Sequence, residues 1–162
     1  LTIEPNISDT LSLSDPQQIT HRILLAEDDL DDCMLFSEAL EELGLSYQLS
    51  KVHDGEELMR FLKECEVLPD VLFLDLNMPR KNGFQCLSEI KGSELLRSLP
   101  VIIISTSFEQ RIINLLYDNG SMFYLRKPND FSKFKRIIDN AVALSMQKKF
   151  TQPSLEEYVL FY

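Results

Sequence analysis

The stretch DVLFLDLNMP, residues 70–79, runs four apolar residues without alternation into a single carboxylate, Asp75, and then into a turn. An unbroken apolar run of that length reads as a strand covered on both faces, the pattern of a parallel sheet. Four further short runs accompany it, several of them also apolar without alternation: RILLA (22–26), YQLSKV (47–52), VIIIS (101–105) and MFYLR (122–126). Between them, residues 31–43, 56–63, 84–90, 108–119 and 131 to about 149 carry helical spacing. In the first of these, Met34, Leu35, Ala39, Leu40 and Leu43 fall on one stripe and Gly44 supplies a stop. In the last, Phe131, Phe134, Ile137, Ile138, Ala141, Val142 and Leu144 repeat at threes and fours. Regular strand and helix alternation implies right-handed crossovers and a five-stranded, doubly wound parallel α/β sheet with helices on both faces.

A chain of 162 residues, 44% of them hydrophobic, suits one domain with a substantial core and modest tails. The reading divides it into a flexible N-terminal arm (1–20), rich in Ser, Thr, Asp and Pro, a domain (21–149), and an extension (150–162). The extension begins again with Pro and a Ser cap, then sets Leu155, Tyr158, Val159 and Phe161 close together, which reads as a short helix docked on its own domain or on a partner, the former favoured because an exposed cluster of that kind would be sticky. No run is long enough to span a bilayer and the first residues lack a signal pattern, so the expected location is the cytoplasm. Cys33, Cys65 and Cys86 lack metal-type spacing and read as small, mostly buried apolar residues in a reducing compartment. A net charge of −10 argues against a nucleic-acid partner, because phosphate backbones are held by clustered Lys and Arg.

In an open parallel sheet, ligands bind beyond the carboxyl ends of the strands. The first run ends in Glu27, Asp28 and Asp29, the third in Asp75, the fourth in Ser105 and Thr106, and the fifth in Arg126 and Lys127. The second ends in His53, Asp54 and Gly55, which fits an edge strand away from the site. Carboxylates meeting at one sheet end repel one another and are raised in pKa unless a cation neutralises them. A hard divalent ion such as Mg²⁺ suits such oxygens. Lys127 then offers a point charge and Ser105 a hydroxyl to the same anion, which describes a site handling a phosphoryl group on Asp75. Acids after a strand also suit the next helix's N-terminus, so Asp29, Asp31 and Asp32 read as caps or solvated surface.

These residues, in this order, resemble a response-regulator receiver domain over residues 22–149: Glu27 and Asp28 as the acid pair, Asp75 in DLNMP, Gly83 beyond it, Ser105, and Lys127 with Pro128. The resemblance implies the flavodoxin-like, CheY-like strand order 2-1-3-4-5. It also implies a sensor histidine kinase or histidine phosphotransfer protein as phosphodonor and a Mg²⁺ site at Glu27 (through water), Asp28, Asp75 and the backbone carbonyl of Asn77. Phosphoryl contacts would come from Ser105 and Lys127. Pro128 corresponds to the family's cis lysyl-prolyl bond, and Gly83 is structural, permitting a turn. Tyr124 occupies the position of the family's switch aromatic, turning inward as Ser105 moves toward a phosphoryl group. VIIISTS is similar to stand-alone receivers associated with phytochrome-type kinases, so a single-domain regulator is expected, with a downstream protein target. The face formed by residues 108–119, the fifth strand and the last helix is the one through which receivers pair, admitting a homodimer. Such a protein is not a conventional enzyme, but it catalyses its own phosphorylation and dephosphorylation.

Two other readings compete. A phosphorylation-independent binding module on the same fold would be signalled by a missing acid or lysine, and none is missing. A phosphatase of the haloacid dehalogenase type places a second Asp two residues after its nucleophile, where this chain has Asn77.

Overall fold

The computed structural model describes residues 20–44, 46–147 and 151–161. Apart from residue 20, the arm expected over residues 1–20 lies outside them, as do residues 148–150. Strands and helices alternate as β1 (His21–Ala26), α1 (Leu30–Glu42), β2 (Tyr47–Val52), α2 (Gly55–Glu64), β3 (Val71–Asp75), α3 (Gly83–Gly92), β4 (Val101–Ser105), α4 (Gln110–Asp118), β5 (Phe123–Arg126) and α5 (Phe131–Ser145). A short helix, α6 (Leu155–Tyr158), leads into a two-residue strand, β6 (Val159–Leu160). The parallel sheet has the order β2-β1-β3-β4-β5-β6. The first five strands match the expected order; the sixth corrects the expectation of a five-stranded sheet.

Side chains alternate across each strand, yet both faces of the central strands β3 and β4 are covered, so no polar alternation marks them, whereas the edge strand β2 mixes polar and apolar residues. Leu24, Leu72, Leu74 and Ile103 pack beneath α2, α3 and α4, whereas Ile23, Leu25, Val71, Phe73, Ile102 and Ile104 face α1 and α5. Phe36 of α1 meets Phe73 of β3 edge to face at 4.9 Å.

Several local expectations shift. The buried stripe of α1 is Cys33, Phe36, Ala39 and Leu40, while Met34 is exposed, because the helix turns a neighbouring row of its surface to the sheet. Helix α4 starts at Gln110 rather than Phe108, and α5 ends at Ser145, short of residue 149. Phe131 is partly exposed at the first turn of α5. The cysteines are mostly buried as expected: Cys33 and Cys86 are buried and Cys65 is so in part. Gly44 has φ 64°, the left-handed geometry that stops α1.

Candidate functional site

Strand order reverses between β1 and β3, and the carboxyl ends of these strands carry Glu27, Asp28 and Asp75. One carboxylate oxygen from each lies within 4.8 Å of the others; Glu27 and Asp75 are buried, while Asp28 is exposed. This donor set, hard oxygens only and open to solvent on the Asp28 side, fits a hard divalent cation.

Lys127, just past β5, supplies the local counter-charge. Its Nζ lies 2.6 Å from Glu27 Oε2, 2.8 Å from Asp32 Oδ2 and 3.8 Å from Asp75 Oδ2. Burial works against its ammonium, but the hydrogen bonds to Asp32 and Glu27 and the charge on Asp75 outweigh it and raise its pKa. Burial pushes Glu27 up to about 8, against the lowering effect of Lys127 and with the charge of Asp75 adding to the rise. Burial likewise raises Asp75, opposed chiefly by Lys127. One lysine is too little positive charge for this group of acids.

The backbone around the acids is organised to hold them. Glu27 Oε1 accepts from the Asp29 N–H at 3.1 Å, and Asp75 Oδ1 from the Asn77 N–H at 3.3 Å. Asp29 caps α1 by accepting from the N–H groups of Asp31 and Asp32, as a capping role requires. Asp32 differs from that expectation, because its first-turn position aims it at Lys127; helical phase could have flagged it, but the partner lies 95 residues away. His53 also stands nearer the site than expected, with Nδ1 3.0 Å from the backbone carbonyl of Glu27.

The loop after β3 folds back on Asp75 at Gly83, whose N–H donates to the Leu76 carbonyl at 3.0 Å. A Cβ there would stand 2.5 Å from the Asp75 carbonyl oxygen and 2.8 Å from Leu76 Cα. Gly83 therefore serves close backbone approach rather than the turn freedom expected of it. Arg80, with φ 67°, spans from this loop to Asp54 at the N-terminus of α2 (2.7 Å).

Ser105, fully buried at the end of β4, accepts from the Ser107 N–H at 3.1 Å. Tyr124 is fully buried in β5 and donates to the Ser107 carbonyl at 2.6 Å, so its ring is already inward. The described residues contain no cis peptide bond, which corrects the expected cis bond at Pro128; Lys127 reaches the acids with that bond trans.

The description "Response regulator receiver domain" matches residues 23–139. The probable methanogenesis regulatory protein FilR2 of Methanothrix harundinacea is 35% identical over 81% of this chain and 84% of its own length. Among solved structures, the phosphorylated cyanobacterial phytochrome response regulator RcpA superposes with a TM-score of 0.76 at 31% identity, covering 83% of this chain and 99% of that one. The Mn²⁺-bound form of response regulator Rcp1 superposes at 0.74 with 27% identity and the same coverages. Among the described residues, no helix is long and apolar enough to cross a membrane. A matched family over most of the chain, with the parallel fold and the acidic strand ends to go with it, makes this chain a member of the response regulator receiver domain family of two-component signalling.

Proposed function

We propose that Asp75 accepts a phosphoryl group from the phosphohistidine of a sensor histidine kinase or phosphotransfer protein, and that the chain acts as a single-domain regulator through protein contacts. The observation that carries this reading is the convergence of Glu27, Asp28, Asp75 and Lys127 at the strand-order reversal, beside the buried hydroxyl of Ser105.

Asp28, Asp75 and the carbonyl of Asn77 would hold Mg²⁺ directly, and Glu27 through water; bound there, the cation neutralises the acids and the phosphoryl charge. A carboxylate oxygen of Asp75 attacks phosphorus in line, the P–N bond to the donor imidazole breaks, and its electron pair leaves with the ring. Lys127 stands 3.8 Å from Asp75, placed to pair with a phosphoryl oxygen on that carboxylate. The Ser105 hydroxyl gives up its place as acceptor of the Ser107 N–H and donates to another phosphoryl oxygen. That exchange draws Ser105 toward the phosphoryl group and favours the inward Tyr124 held on the Ser107 carbonyl, which carries the signal to the face of α4, β5 and α5. The acidic chain and its protein-facing output fit a cytoplasmic protein with no nucleic-acid partner.

Intact mass after incubation with acetyl phosphate and Mg²⁺ tests this. The expected result is a gain of one phosphoryl group, absent in Asp75→Asn and in EDTA. A gain retained by Asp75→Asn would refute Asp75 as the acceptor.

A further inference from the structure

The segment 151–161 does more than cover the sheet edge. Val159 and Leu160 pair in parallel with Tyr124 and Leu125, so the switch tyrosine is itself a register partner of the added strand. Tyr158, fully buried, lies with its ring centroid 6.3 Å from that of Tyr124 and 5.1 Å from that of Tyr117, and its hydroxyl bonds the buried Ser121 hydroxyl. Gln152 Nε2 donates to the carbonyls of Tyr117 (2.7 Å) and Ser121 (2.8 Å), and the Tyr117 hydroxyl donates to the Pro153 carbonyl at 2.7 Å. Farther along, Phe161 packs edge-on against Phe108 at 6.1 Å, with the Arg126 guanidinium 4.8 Å over the same Phe108 ring. Phe108 is the residue next to Ser107, whose carbonyl holds the Tyr124 hydroxyl. The segment thus grips the switch at its ring, its strand and its loop.

We propose that residues 151–161 form an intramolecular latch that holds Tyr124 inward and is thermodynamically linked to phosphorylation of Asp75, an inference that rests on the receiver reading above. Tyr158 lies against the Tyr124 ring at the sheet edge that β6 covers, so displacing the segment removes packing from the inward ring. The seated segment and the phosphoryl group therefore both favour the inward Tyr124. Two events that stabilise one arrangement strengthen each other by the same factor. Phosphorylation tightens the latch, and the latch eases phosphorylation.

The test uses the full chain. Hydrogen exchange is measured with and without beryllofluoride and Mg²⁺, and the initial rate of phosphorylation by acetyl phosphate is compared among wild type, Tyr158→Ala and Gln152→Ala. Gln152→Ala removes two hydrogen bonds while leaving the Tyr158 packing in place, so it keeps the test decisive should Tyr158→Ala fold poorly. The expected result is exchange slowed about fivefold at residues 158–160 together with protection of the 76–82 loop, and phosphorylation slowed about fivefold in the variants, the low end of coupling between linked sites. Protection of the 76–82 loop with unchanged exchange at 158–160 overturns the latch, and so does phosphorylation of the variants at or above the wild-type rate. Neither loop protection nor phosphorylation in the wild type refutes the receiver reading, and the latch falls with it.

Discussion

Replacing Glu27 by Gln should stabilise the protein at neutral pH in the absence of a divalent cation, although it removes a 2.6 Å contact with Lys127. Glu27 is 2% exposed, and its pKa stands at about 8 after the benefit of Lys127 is counted, so its ionised form is held at a net cost. For a carboxyl whose folded pKa lies above its unfolded value of 4.5, the folded state binds the extra proton. The resulting stability is fully present below 4.5 and is lost as pH rises through about 8. The slope approaches about 1.4 kcal/mol per pH unit inside that window, so between about pH 6 and about pH 8 this group alone removes on the order of 2 kcal/mol. His21, whose pKa burial lowers against the pull of Asp70, contributes with the opposite slope, but it is common to both proteins and cancels in their difference. The assay is thermal unfolding of wild type and Glu27→Gln in EDTA at three pH values across this range, followed by circular dichroism. The variant should gain on wild type as pH rises, by about 5 °C in Tm at the alkaline end. Under the proposed function, saturating Mg²⁺ should reverse the ranking, because a cation held at these acids would favour the ionised Glu27. A wild type that keeps pace with the variant across the range in EDTA would refute the burial argument.

Gly83→Ala should destabilise by about 1–3 kcal/mol, since backbone atoms rather than a flexible side chain meet the new Cβ; chemical denaturation would measure it. Asn82 and Gln85 form a reciprocal capping box on α3, so Asn82→Ala should cost about 1 kcal/mol by the same measurement. Lys127→Met leaves Glu27, Asp32 and Asp75 without their shared cation and, under the proposed function, removes the partner of a phosphoryl oxygen. Phosphorylation by acetyl phosphate should fall about 100-fold or more, read as the initial rate of mass gain.

The apolar runs and the helical stripes between them determined the five main strands, five helices and their parallel sense, because both period and continuity of apolar residues are local properties of the chain. The acids, hydroxyl and lysine of the site were legible for the same reason: each stands at the end of a strand, and the fold class places those ends together. Other features depended on partners far away in sequence. Asp32 looked like a surface acid until α1 docked and turned it toward Lys127. Gly83 gave no hint that backbone would lie against it. Strand β6 is two residues long, too short for any pattern, and exists because β5 offers it an edge and Tyr117, Tyr124 and Ser121 receive Tyr158. Local periodicity writes elements into a sequence, but which side chain meets which is decided only when the elements pack.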